Sequence, residues 1–218
     1  MAGRRMRNID WARELLPLVE RYKGRKHPLD YKSRYQLVVM VILSARDSDK
    51  HINTITPPFF KAFPSMKKLA KAKAKDLRKY LGKVLNGKNK IEWLMELAKR
   101  VGTDENIPET LEELIALPGI GRKSANVIIR ESGGRAEGII VDLHVVRVAP
   151  RLGIAHTVNP KKMEMELMEA IPQEYWSEAG MAFSFLGREI CRPTNPKCPL
   201  CPVNKVCLFY SSNQGKKA

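Results

Sequence analysis

Three places in this sequence hold residues whose types and spacing could do chemistry. The first is Leu117-Pro118-Gly119-Ile120-Gly121-Arg122-Lys123-Ser124-Ala125-Asn126. Leu111, Leu114 and Ile115 before it, and Ala125, Val127, Ile128 and Ile129 after it, are spaced as two helices. Pro118 closes the first, and Gly119 and Gly121 are expected to turn the backbone through positive φ at little steric cost. The second helix then starts at Arg122, with its first N–H groups pointing back into the turn. Fixed amide donors, the positive end of a helix dipole and no intruding side chains make a cradle for one phosphate. Such a hairpin grips a nucleic-acid backbone, and Lys123 stands one step beyond the grip. The plainer alternative is an ordinary tight turn with Lys123 as a solvated first-turn lysine.

The second place is Asp142, which follows Gly138-Ile139-Ile140-Val141 and precedes Leu143-His144-Val145. A short apolar approach delivers its carboxylate to the start of a helix, where the dipole favours negative charge. On spacing alone a plain N-cap accounts for Asp142, a helix-core position for His144, and structural pairing or a place towards DNA for Arg147. The third place is the loop Cys191-x6-Cys198-x2-Cys201-x5-Cys207, which holds all four cysteines of the chain. A disulfide-stapled protein spreads its cysteines, so this clustering argues for one metal centre in a reducing compartment. Thiolate chemistry alone leaves structural zinc and a [4Fe–4S] cluster open. Zinc usually takes two short Cys-x-x-Cys knuckles, and the single short pair here favours the cluster.

The elements that must hold these residues read as helices. Asp10 can cap a helix with Trp11, Leu15, Leu16 and Val19 as its apolar stripe. After the break at Pro28, a helix from about Tyr31 to Ser44 is apolar all round over Leu37 to Leu43, the mark of a buried central helix. Ser44-Ala45-Arg46-Asp47-Ser48-Asp49 then emerges at a surface, with Asp49 a possible helix cap. Residues 49–63 read as helical with a break at Pro57-Pro58, and Ser65 caps a helix whose many lysines form a solvated face. Asn86-Gly87 marks a turn within Lys83 to Lys88, where Leu85 reads most simply as a buried loop leucine. An amphipathic helix follows from Lys88 to Val101. Pro108 and Thr110 open the helix leading into the hairpin, and Ser132-Gly133-Gly134 ends the one leaving it. Asn159-Pro160 starts another, and a last helix from about Ser177 to Ile190 reaches the cysteines. Strand-like alternation is scarce throughout, so the fold class is all-α. Ser211 to Ala218 reads as a disordered basic tail.

Composition narrows the partner. Thirty-nine basic against 23 acidic residues give a formal charge of +16, an excess suited to a polyanion. No apolar run reaches spanning length, and the charged segment Met1 to Lys26 is no secretory signal. The expectation is an intracellular protein of the cytoplasm or nucleoid, facing nucleic acid rather than membrane.

LPGIGRKSA resembles the hairpin of the endonuclease III family of helix-hairpin-helix DNA glycosylases, VDLHVVRV resembles that family's catalytic-aspartate segment, and the six-two-five cysteine spacing at the C-terminus resembles its cluster signature. The resemblance runs from about Tyr31 to Cys207. It implies a two-lobed helical fold: a helical bundle with the hairpin over 29–136, and a discontinuous iron–sulfur domain of 1–28 plus 137–218. It implies Lys123 and Asp142 as the catalytic pair, and a [4Fe–4S] cluster on Cys191, Cys198, Cys201 and Cys207. The hairpin residues Gly119, Gly121 and Arg122 would hold DNA, and Arg192 and Lys197 on the cluster loop would face phosphates. The family's duplex-filling glutamine is replaced by Arg46, which favours guanine edges. Its wedge loop, glycine-leucine-tyrosine-asparagine-x-lysine, ends here at Lys88 and carries Leu85 in place of the aromatic residue. An apolar wedge can still unstack a step.

The activity implied is a monomeric, bifunctional DNA glycosylase and abasic-site lyase in base excision repair, acting on damaged, oxidised pyrimidines in double-stranded DNA. The target nucleotide leaves the stack, the Lys123 amine attacks the sugar, and β-elimination through the resulting imine nicks the strand. The helix N-terminus would favour the neutral amine, and the Asp142 carboxylate would stabilise positive charge on the sugar. Two rivals stand beside it: a mismatch glycosylase for thymine, uracil or adenine, and a non-catalytic duplex-binding module with a structural metal. Lys123 argues against the monofunctional enzymes, and its pairing with Asp142 argues against the module.

Overall fold

The computed structural model describes residues 9–214, so the first part of the basic N-terminus and residues 215–218 of the expected tail lie outside the described residues. In chain order the α-helices are α1 (Trp11–Glu14), α2 (Leu16–Tyr22), α3 (Arg34–Ser44), α4 (Asp49–Ala62), α5 (Met66–Ala70), α6 (Ala74–Leu81) and α7 (Gly87–Val101). They continue with α8 (Leu111–Ile115), α9 (Arg122–Glu131), α10 (Leu143–Leu152), α11 (Pro160–Ala170), α12 (Trp176–Glu189) and α13 (Leu208–Gln214). Among the described residues there is no strand, and no helix is long and apolar enough to cross a membrane. The chain divides into two compact units, one of Lys26–Glu137 and one of the chain up to Arg25 together with Gly138 onward.

The Lys26–Glu137 unit is built around α3. Ser33 caps it by accepting from the Gln36 N–H, and Tyr35 with Leu37 through Leu43 is buried on every side, as an all-apolar helix requires. α4, α7 and α9 pack on it. The expected break at Pro57-Pro58 does not occur: α4 runs unbroken through both prolines. Packing outweighs the two missing backbone donors. Phe59 is fully buried, with ring centroids 5.4 Å from Phe60, 5.2 Å from Phe63 and 6.2 Å from Tyr80. Each interior proline costs about 3 kcal/mol and a core aromatic is worth about 3–5 kcal/mol against alanine, so the cluster as a whole, rather than Phe59 alone, offsets the helix defect. The lysine-rich segment forms two short helices, with Ser65 capping α5 as expected and α6 laid against α7.

In the second unit Asp10 caps α1 by accepting from Arg13 N–H, but the expected single helix is split at Leu15, because Pro17 removes a donor just beyond it. α2 and α10 both pack on α12. The extended run 138–141 lies so near α12 that a Cβ on Gly180 would meet the Ile140 carbonyl oxygen at 2.6 Å, which fixes where the following Asp142 emerges. Ser211 to Gln214 belongs to α13, so that part of the tail is helical rather than disordered.

Candidate functional site

The hairpin forms where its residues predict. Thr110 caps α8 through the Glu113 N–H, the helix ends before Pro118, and α9 begins at Arg122. Gly119 takes φ +79°, and a Cβ there would come within 3.0 Å of the Trp93 ring and 3.3 Å of Ile42, so both conformation and space require glycine. Gly121 differs from expectation. Its φ of −99° is open to any residue, and a Cβ would meet no protein atom within 4 Å. The exposed Gly121 therefore leaves open space rather than enabling a turn. No side chain caps α9, and half-buried Lys123 sits in its first turn, with Ala125 to Ile129 burying the other face.

Asp142 is the N-cap of α10, as its spacing alone suggests. Oδ1 accepts from the His144 N–H at 2.8 Å and the Val145 N–H at 3.0 Å. Oδ2 accepts from the Ser184 hydroxyl at 2.6 Å. Ser184 is fully buried on α12 between Phe183 and Phe185 and takes a bond from Arg188 Nε at 3.4 Å. Nothing in the sequence singled it out; a lone serine in an apolar helical run was the only signal. The next residue, Leu143, is 84% exposed, so an apolar side chain stands in solvent beside the carboxylate. Arg147 is structural: it donates to the Cys191 and Gly187 carbonyls at 3.0 and 2.8 Å.

The four cysteines line one cavity together with Val148, Leu152, Leu186, Ile190, Arg151 and Phe209. No three metal-binding side chains among the described residues close into the shell of a single ion. Arg151 Nη1 lies 3.5 Å from Cys191 Sγ, donates to the Arg192 carbonyl at 2.8 Å, and stacks on Phe209 at 4.6 Å. Burial pushes the Cys201 thiol up to about 11, against hydrogen bonding from the Val203 N–H and with neighbouring thiols adding to it. Cys198 and Cys207 rise for the same first reason. Arg192 and Lys197 are exposed on this loop.

The two residues expected to touch bases are both exposed. Arg46 follows α3 in the left-handed region at φ +61°. Leu85 is 52% exposed, not the buried loop leucine expected; Val84 fills the core instead. Lys88 is exposed in the first turn of α7. Ser48, not Asp49, caps α4. Sequence reasoning missed Lys90, 1% exposed, whose amine donates to the Leu43 and Ala45 carbonyls at 2.7 Å each. It closes the C-terminal end of α3, where carbonyls lack helical partners. Burial lowers its pKa, partly opposed by the Asp47 charge.

A hairpin of this geometry in an all-helical chain defines a helix-hairpin-helix protein. Residues 39–173 match the HhH-GPD superfamily of base excision DNA repair proteins, and the chain belongs to that family. Endonuclease III of Synechocystis sp. is 32% identical over 195 residues, 88% of this chain and 89% of that protein. A non-covalent Endonuclease III–DNA complex matches the fold with a TM-score of 0.79 at 28% identity, over 91% of this chain and 94% of that one. A trapped Endonuclease III–DNA covalent intermediate matches equally, with a TM-score of 0.79 at 28% identity over 90% and 93% of the two chains.

Proposed function

We propose that this protein is a bifunctional DNA glycosylase and abasic-site lyase that removes damaged, oxidised pyrimidines from double-stranded DNA, with Lys123 as its nucleophile. The observation that carries the reading is the hairpin: Gly121 leaves open space at an uncapped helix start, and Lys123 follows one residue beyond Arg122. A phosphate seated there is held by Gly119, Gly121 and Arg122 backbone groups, within reach of a helix dipole. The relatives named Endonuclease III, one of them trapped covalently on DNA, support the same chemistry.

The reaction uses this chain's own groups. With the damaged nucleotide out of the stack, the Lys123 amine forms a bond to C1′ as the glycosidic C1′–N bond breaks and the base leaves with its electron pair. The Asp142 carboxylate offsets the positive charge that develops on the sugar. Its capping bonds and the Ser184 hydroxyl keep the carboxylate from rotating. The sugar ring opens to an imine on Lys123. Loss of a C2′ proton then expels the 3′ phosphate, and water releases the amine. Arg46 fills the vacated stack and reads the opposite base, Leu85 wedges beside it, and Lys88, Arg192 and Lys197 neutralise phosphates.

Cys191, Cys198, Cys201 and Cys207 would hold a [4Fe–4S] cluster. The site fits one: an all-thiol donor set, an apolar lining and one guanidinium against a negatively charged group. When bound, the cluster would order the loop bearing Arg192 and Lys197. The protein works as a monomer on DNA in the cytoplasm or nucleoid.

A strand-nicking assay on an abasic duplex tests the reading. Lys123→Gln is expected to lower the rate by about 10³-fold or more. An unchanged rate removes Lys123 from the chemistry.

A further inference from the structure

We infer that Asp47 is a positioning residue that locks the loops carrying Arg46 and Leu85 into one reader of the base opposite the lesion. The inference rests on the base-contacting reading of Arg46 and Leu85 given above.

Arg46 and Leu85 belong to separate loops, one after α3 and one before α7. Asp47 joins them. Its Oδ2 accepts the Leu85 N–H at 3.2 Å, while Oδ1 accepts the Ser48 N–H and a His51 Nδ1–H at 2.8 Å each. The carboxylate is only 12% exposed, although it lies between two exposed residues that face solvent. Both loops also carry a non-glycine residue in the left-handed region, Arg46 at φ +61° and Asn86 at φ +57°. Asparagine adopts that region readily, but for Arg46 it persists only where surrounding contacts over-determine it. From beneath, the Lys90 amine ties the Ala45 carbonyl, so the loop is held on the side of α7 as well. The four groups Asp47, His51, Leu85 N–H and Lys90 thus hold the backbone on either side of the two projecting side chains. Burial works to raise the Asp47 pKa, and the bonds from His51, Leu85 and Ser48 outweigh it, so the carboxyl sits below its ordinary value and stays an acceptor.

Fixing the backbone from which two side chains project, before contact, reduces the ordering cost of binding and sharpens discrimination between partners. Losing Asp47 should therefore cost what losing a fixed Arg46 costs. The test measures duplex affinity for the full protein on tetrahydrofuran abasic-analogue duplexes with guanine, adenine, cytosine or thymine opposite. Wild type is expected to favour guanine, and Arg46→Ala to abolish that preference. Asp47→Ala should weaken binding by about 10-fold and flatten the preference as Arg46→Ala does. The double variant Arg46→Ala/Asp47→Ala should be no worse than either alone. Thermal melting accompanies each variant, and if Asp47→Ala does not fold, Asp47→Asn, which keeps size and one acceptor oxygen, carries the same cycle. Additive losses, or a guanine preference intact in the Asp47 variants, would overturn the proposal. A wild type without opposite-base preference would overturn it too. Because these duplexes undergo no chemistry, failure of the lyase reading would show in the nicking assay alone.

Discussion

Two helices of this molecule begin beside residues assigned to chemistry, and they begin in opposite ways. α9 starts at Gly121 with no side-chain cap and with open space where a Cβ would stand. α10 starts at Asp142, whose own carboxylate takes two of the first N–H groups and is itself pinned by Ser184. The physical need is the same at both ends, since the first N–H groups of any helix lack helical acceptors. α10 meets it from within, so its anion is part of the protein and its position is fixed before any partner arrives. α9 has no such side-chain cap, and on the proposed reading a phosphate of the duplex takes that place. One helix start is completed by its own carboxylate and the other carries no side-chain cap, and that is the contrast the variants below are built on.

The largest break in this comparison comes from separating charge from cap. Asp142→Asn keeps a good capping residue and removes the charge, so melting should shift little while nicking falls by about 10²-fold. Asp142→Ala loses both, adding about 1 kcal/mol of destabilisation in denaturant melts. If the asparagine variant were as active as wild type, Asp142 would be a cap and nothing more.

The two hairpin glycines give the next effect. Gly121→Ala adds a methyl to open space in an ordinary conformation, so stability should stay within about 0.5 kcal/mol. Duplex affinity, measured by fluorescence anisotropy, should nonetheless weaken by about 10-fold, because the methyl stands where a phosphate would sit. Gly119→Ala should do the reverse first, losing about 1–3 kcal/mol of stability through a positive φ and contact with Trp93. Equal stability losses at both positions would dissolve the distinction. The smallest effect belongs to Ser184→Ala, which should slow nicking several-fold, by about the worth of one hydrogen bond to a charged group.

What could be read in the sequence follows the range of the forces involved. Caps, prolines and glycines act over a few residues, so Ser65, Thr110, Asp142 and Asn159 marked their helices, and the hairpin and the all-apolar α3 were legible. α4 was misjudged because what carries it through Pro57-Pro58 is an aromatic cluster reaching to Tyr80, distant in sequence. Gly121 was credited with a turn it does not make, since residue type does not distinguish a glycine needed for conformation from one needed for space. Ser184, Asp47 and Lys90 went unread for a similar reason: each acts through partners far along the chain, Ser184 on Asp142, Asp47 on Leu85 and Lys90 on Leu43. Val84, not its neighbour Leu85, fills the core, because residue type alone does not set which of two adjacent apolar loop residues turns inward.

The central claim is that the open helix end delivers Lys123 to the sugar as an amine nucleophile, and borohydride trapping tests it most directly. Duplexes carrying thymine glycol, uracil, a G·T mismatch or an abasic site would be incubated with the protein and reductant. The account predicts a covalent protein–DNA product on thymine glycol and on the abasic site, lost in Lys123→Gln. Trapping that survives in Lys123→Gln, or no trapping on any duplex while binding stays tight, would contradict it.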